Sequence, residues 1–284
     1  MISFTRNRLE RTPTADTLLT MPSASFLNQP PSPRDMDIEG IVLEKRGVDH
    51  EDNRRALFTA FNGDLDGFTA RHLLVWKTGQ AVMERTIDGP TSATRTLFYL
   101  LEGTARLILR EFETGHTMMH EFQPGNRLLL PSYDHRPIDY YLKLDPGSIM
   151  AQCGESGTGY QTAPRCVDLH VAFNGRQGDS QSFQARQVKM AKIKTELPLG
   201  AHSHTYREFF HILTGQGLFE TEDPASKQRE QTLVEQGQGI AIPAGIPHRV
   251  VLRAGSILVG GTEQPYVSAE QNDQPYDFGD PLQF

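Results

Sequence analysis

The chain has 284 residues, with 28 basic and 35 acidic side chains and a formal net charge of -7. That balance argues against a protein built around nucleic-acid phosphates or an anionic membrane, since both ask for a basic face. The length allows a large core in one or two domains. No apolar run approaches the ~20 residues of a membrane span, so a soluble protein is expected.

Residues 1–50 read as an extended or partly disordered arm. Arg6, Arg8 and Arg11 among Ser and Thr have something of an organelle transit peptide, but Glu10, Asp16 and the missing amphipathic stripe count against one. The apolar stretch of a secretory signal is absent, and Pro13, Pro22, Pro30, Pro31 and Pro33 fit an arm laid across a partner subunit. From about residue 55 to 265 the pattern is one of short strands between turn residues. Examples are Arg71–Trp76, Thr96–Leu101, Ala105–Arg110, Gly239–Ile242 and Arg249–Leu252. Helical periodicity is scarce, which places the chain in the all-β class. Cys153 and Cys166 do not form a CxxC motif, and two thiols in a chain of this size fit a reducing, cytoplasmic setting. Residues 266–284 read as an extended tail that covers a barrel edge or exchanges between subunits.

The two halves look like copies. The same spacing of 112 residues separates Gly103 from Gly215, Gly125 from Gly237 and Pro131 from Pro243. Gly and Pro hold the turns that set strand length, so a shared spacing through three of them points to a duplicated domain. The chemistry is not duplicated. In the second half, Gly200-Ala-His202-Ser-His204-Thr-Tyr-Arg-Glu208 is followed by Gly215, and Gly237-Gln-Gly-Ile-Ala-Ile-Pro243-Ala-Gly245-Ile-Pro-His248 comes next. Their counterparts in the first half are Pro90, Ser92 and Thr96, with His135 alone near the fourth position. The first half is therefore expected to be metal-free.

Three imidazoles and one carboxylate form a transition-metal ligand set. His202 and His204 share one face if they lie in a strand, Glu208 follows after a bend, and His248 begins a strand after the Pro243–Gly245 turn. Buried without a partner these groups would be costly, which favours a metal over an inert core. The other histidines, His50, His72, His116, His120, His170 and His211, read as surface or satisfied core residues. His116 and His120 have a helical ligand spacing but sit in a hairpin pattern.

These segments resemble the two motifs of the cupin superfamily, HxH-x3-E-x6-G and G-x5-PxG-x2-H, and every position is met. The resemblance implies two tandem cupin barrels of double-stranded β-helix, or jelly-roll, form. Residues 51–165 would be a degenerate barrel, 166–265 a metal-binding barrel and 266–284 a tail, in a homodimer. It implies His202, His204, Glu208 and His248 as metal ligands, with iron(II) placed first and manganese, nickel, cobalt, copper or zinc as alternatives. Many cupins carry Asn four residues after the last His; here that residue is Leu252.

A positively charged ion with open positions in an apolar cup of Phe210 and Ile212, Ile240 or Ala241 with Ile242, and Val250 and Leu252 suits dioxygen and an anionic small molecule. The leading expectation is a dioxygenase acting on an enolic, phenolic or aromatic substrate. A redox-neutral isomerase, lyase or decarboxylase stays open, with Tyr206 as the proton-moving side chain and the direction of Lys189, Lys192 and Lys194 unsettled. A non-catalytic ligand-binding protein stays open too. No DNA-reading helix pair and no nucleotide-binding glycine fingerprint is present.

Overall fold

The computed structural model describes residues 41, 43–87, 94–111, 114–132, 138–156, 167–175 and 182–284. The expected N-terminal arm up to residue 40, together with Pro90, Ser92, His135 and Cys166, lies outside them. In chain order the strands are β1 (Leu43–Lys45), β2 (His50–Glu51), β3 (Arg55–Asn62), β4 (His72–Thr78), β5 (Met83–Ile87) and β6 (Thr96–Glu102). Next come β7 (Ala105–Glu111), β8 (Thr117–Phe122), β9 (Asn126–Leu130), β10 (Ile138–Leu144), β11 (Ile149–Gly154) and β12 (Val167–Asn174). The second part adds β13 (Gln187–Ile193), β14 (Pro198–Ser203), β15 (Glu208–Thr214), β16 (Gln216–Glu222), β17 (Arg229–Glu235) and β18 (Gly239–Ile242). After β19 (His248–Leu252) and β20 (Ile257–Thr262), a single helical turn α1 (Ala269–Asn272) leads into β21 (Gln274–Pro275). The all-β expectation holds.

The strands form four sheets whose orders repeat. One six-stranded sheet runs β1-β9-β6-β11-β4-β12, and its counterpart runs β18-β15-β20-β13-β3-β2. A four-stranded sheet, β5-β10-β7-β8, matches β14-β19-β16-β17 in a five-stranded sheet that runs β21-β14-β19-β16-β17. The architecture is therefore two jelly-roll barrels in tandem. Glycine turns underline the repeat: Gly103 (φ 76) would place a side chain against Ser148, as Gly215 (φ 83) would against Ser256. Only glycine tolerates both that backbone and that contact.

The barrels interlock across residue 165. Strand β3 precedes the first barrel in the chain yet pairs with β13 of the second, with Met190 opposite Phe58. Strand β12 follows the first barrel and returns to β4, with His170 opposite Val75. Each barrel thus takes a strand from the sequence beside its neighbour. The two six-stranded sheets face one another across a shared core containing Phe58, Phe61, Leu97, Tyr99, Leu101, Val188, Met190, Leu213 and Val259. Alternate residues of the same strands, such as Phe98 and Leu100, point into the first barrel's own core beside Trp76 and Leu107. This two-sided burial explains why Thr96–Leu101 is a continuous apolar run instead of an alternating one.

His116 and His120 fall on the β7–β8 hairpin, as their pattern indicated. The tail is more structured than an extended segment: it contains α1, adds β21 to the edge of β14, and buries Phe278 and Leu282. Cys153 is a buried free thiol.

Because Phe61 is fully buried in the core that both barrels share, Phe61→Ala should cost about 3–5 kcal/mol. Differential scanning calorimetry should show one transition at lower temperature. Two separated transitions, with only one of them shifted, would contradict a shared core.

Candidate metal centre

The site sits between the two sheets of the second barrel. Strand β14 does not run straight to His202. Gly200 (φ 86) and Ala201 (φ 69) both take left-handed backbone, and the pairing with β19 slips there, so that Gly200 faces Arg249 while His202 faces His248. An alanine in this region stores strain, and the resulting bulge re-aims the strand end. His202 is therefore the second-last residue of an irregular strand, and His204 lies just past it. The Pro243–Gly245 turn ties the two sequence motifs together, since the Gly245 amide donates to the His204 carbonyl at 2.7 Å.

Glu208 opens β15 in the opposite sheet, paired with Ile242 and Thr262. One donor atom from each of His202, His204, Glu208 and His248 lies within 4.8 Å of the others. The four residues predicted from sequence are thus brought together, three from one sheet and one from the other. Glu208 and His248 are 2% and 3% exposed, so water does not solvate this charge.

The hydrogen bonds show what the cluster lacks. His204 Nδ1 donates to the Asn272 carbonyl at 3.0 Å and His248 Nδ1 to the Ile246 carbonyl at 3.1 Å. With those protons placed, the Nε2 atom of each ring carries a bare lone pair unless a second proton binds there. Both lone pairs face Glu208 Oε2, at 3.1 and 3.2 Å. A carboxylate oxygen is also an acceptor, so acceptors meet acceptors unless a proton or a cation lies between them. The donor set fits a divalent transition metal, which satisfies all of them at once.

The proton affinities follow the same logic. Burial, reinforced by the neighbouring His248 and His204 rings, drops His202 to about 3, so it stays neutral and ready to ligate. Burial alone would lower His204, but the hydrogen bond and charge of Glu208 raise it above its ordinary value. Burial opposes the charge on Glu208, yet Lys189 and the two imidazoles hold its carboxyl well below the usual range.

Lys189 is the residue that sequence reasoning left undecided. It lies on β13 opposite Gly260, which is itself opposite Phe210 on β15. Gly260 offers no side chain, so Lys189 reaches over it and places Nζ 3.2 Å from Glu208 Oε1. Lys192 instead pairs with Glu102 of the first barrel at 2.6 Å, and Lys194 with Glu51 at 2.6 Å. Residues on β13 are buried on both faces, which is why alternation among these lysines carried no direction.

Tyr206 stacks on His204 with ring centroids 4.8 Å apart, and its hydroxyl accepts a hydrogen bond from Asn272 Nδ2 at 3.3 Å. Burial pushes the phenol up to about 12, so it keeps its proton. The apolar residues Phe210, Ile212, Ile240, Ile242, Val250 and Leu252 pack as one core below the ligands, with the Phe210 ring 6.3 Å from that of His248. In the first barrel, Thr96 opens β6 where Glu208 opens β15. There Gln152 pairs with Leu74 at the rows where the second barrel has Gly260 and Lys189. Trp76 fills that interior and donates to Gln152 at 3.1 Å.

Of the remaining histidines, His170 and His211 meet edge to face between the barrels, with centroids 5.5 Å apart. His72 is buried against the Ser156 carbonyl, while His50 is exposed beside Asp52.

Among the described residues no helix is long and apolar enough to cross a membrane. Residues 192–258 match the family model described as a cupin domain. No curated protein sequence matches the chain. Among solved structures, the oxalate decarboxylase of Lactobacillus farciminis in its formate complex is 9% identical, with a TM-score of 0.41 over 80% of this chain and 87% of that one. The vicilin of hazelnut, Corylus avellana, is 10% identical with a TM-score of 0.42, over 78% of this chain and 85% of its own. Pumpkin seed globulin is 7% identical with a TM-score of 0.39, over 75% and 76%.

Glu208→Gln and His248→Ala should each strip transition metal from the purified protein, as read by elemental analysis, because each removes a ligand from a buried site. Metal retained at wild-type levels in both would contradict the assignment. Acid should destabilise the metal-free protein. His202 at about 3 and His211 at about 4 bind protons more readily when unfolded, so their contribution is present above about 6.5 and is lost as pH falls toward those values. Each buried imidazole adds a slope on the order of 1 kcal/mol per pH unit in that window. Urea midpoints measured between pH 6.5 and 4.5 should fall, and His211→Phe should flatten the fall.

Proposed function

We propose that this chain, whose residues 192–258 form a cupin domain, is a metal-dependent dioxygenase acting on a small enolic, phenolic or aromatic substrate bound as an anion. The observation that supports this most is the convergence of His202, His204, Glu208 and His248 within 4.8 Å, above an apolar core. A divalent ion held there, iron(II) first among the candidates, would supply Lewis acidity and, if redox-active, electron transfer with dioxygen. Neutral imidazoles and one carboxylate leave the loaded site with net positive charge. The Lys189 ammonium, 3.2 Å from Glu208, adds a second positive charge on the same side. Together they draw an oxyanion into the cup and hold it there. The Phe210 ring beside His248 offers a flat apolar wall suited to an aromatic or conjugated body.

Lys189 also favours a second reading. A half-buried ammonium at the edge of the site can move a proton at its Nζ, which a redox-neutral isomerase, lyase or decarboxylase requires. Tyr206, with its phenol pushed up to about 12 and stacked on His204, is better placed to hold that ring than to exchange a proton.

Oxygen uptake by metal-loaded protein, followed across a panel of enolic and phenolic substrates, separates the readings. Uptake coupled to substrate loss supports the dioxygenase. Turnover that continues without oxygen and survives zinc replacement contradicts it in favour of the redox-neutral enzyme. In either case Lys189→Met should keep its metal and lower kcat/KM about tenfold to hundredfold, the effect of losing a charge-assisted contact. Wild-type kcat/KM in that variant would remove Lys189 from the chemistry.

A further inference from the structure

The C-terminal tail carries a carboxylate to the back of two of the candidate metal ligands. We propose that Asp273 is a positioning residue of the metal centre, holding the His202 and His204 imidazoles from outside the donor cluster. The inference rests on the reading of His202, His204, Glu208 and His248 as ligands.

The placement is built in several steps. The Val267 and Ser268 amides donate to Asn272 Oδ1 at 2.6 and 3.1 Å, and Asn272 Nδ2 donates to the Pro265 carbonyl at 3.1 Å. This locks the single turn of α1 and aims the Asn272 carbonyl at His204 Nδ1, 3.0 Å away. One residue later, Asp273 Oδ2 lies 3.5 Å from His202 Nδ1, and Oδ1 lies 3.5 Å from His204 Nδ1. Asp273 Oδ1 is buried and has no hydrogen-bond partner among the described residues. Strand β21 then pairs with β14, setting Pro275 opposite His202 and Gln274 opposite Ser203. The Tyr276 amide donates to the carbonyl of the strained Ala201 at 2.9 Å. Further on, Phe278 is buried beneath the Arg249 and Arg229 guanidinium groups, at 4.4 and 5.6 Å from its ring, and Asp280 takes a hydrogen bond from Arg229 at 2.5 Å.

A buried carboxylate oxygen without a partner is costly. It is compensated when the imidazoles it faces carry positive character, which they gain by ligating a cation. Oδ2 faces the Nδ1 proton of His202, which orients that ring and makes its far nitrogen a stronger metal donor. His204 instead gives its Nδ1 proton to the Asn272 carbonyl and feels Asp273 through charge alone. Neither the motif histidines nor their own strands supply this group; it comes from a segment about seventy residues away in sequence.

The test titrates the full-length, chelator-stripped protein with cobalt(II), read by calorimetry and by visible absorption. Asp273→Asn keeps the side-chain shape and removes the charge, and its metal-free melting curve should match wild type. It should bind cobalt(II) about 10- to 100-fold more weakly, with a changed absorption band. Asp277→Asn, the same change elsewhere on the tail, should bind as wild type does. Asp273→Asn with wild-type affinity and spectrum overturns this inference alone. Wild-type protein that takes up no cobalt(II) overturns the ligand assignment beneath it as well.

Discussion

Everything in the second barrel converges on one electrostatic constraint: the bare nitrogens of buried imidazoles point at a buried carboxylate that is also an acceptor. Carbonyl groups behind His204 and His248 take the Nδ1 protons, so the facing Nε2 atoms meet the carboxylate only through a second proton or a cation. Such an arrangement is stable only around a positive charge. The jelly roll makes it possible because its sheets lie roughly 10 Å apart, a gap that a histidine from one side and a glutamate from the other can bridge. The bulge at Gly200 and Ala201, the Gly245 amide on the His204 carbonyl, and the tail across β14 all serve to hold that geometry.

The first barrel shows what the same topology becomes without the constraint. Its interior is closed by Trp76, Gln152, Leu74 and Phe98, and a threonine opens the strand where the second barrel has Glu208. It does not stand apart from the site, however. The β3 and β12 exchange and the common core put β13, which carries Lys189, directly against the neighbouring barrel. Lys192 on that strand pairs with Glu102 of the first barrel. The first barrel is therefore part of what aims Lys189.

How much of this was legible beforehand follows from how local each signal is. Strands, turns and the duplication were readable because Gly and Pro act on their own backbone; Gly103 and Gly215 mark equivalent turns whatever surrounds them. The four clustered donors were readable because their identities and spacings are unusual together. The route to that geometry was not: a left-handed alanine and a slipped register lie where the His202 and His204 spacing alone implies a regular strand face. Strand exchange across residue 165 is a long-range pairing that leaves no local trace. Lys189 sits in a strand buried on both faces, where alternation carries no direction. Asp273 lies in a segment with no motif, and its place is set by the packing of Asn272 and Phe278.

The central claim is that one divalent cation is gripped by three imidazoles and one carboxylate of the second barrel. X-ray absorption at the metal edge of protein purified without added metal tests it most directly. The account predicts one ion per chain, a nitrogen and oxygen first shell and the multiple-scattering signature of three imidazoles. An ion coordinated without imidazole scattering, or protein that remains bare after reconstitution with every candidate metal, would contradict it.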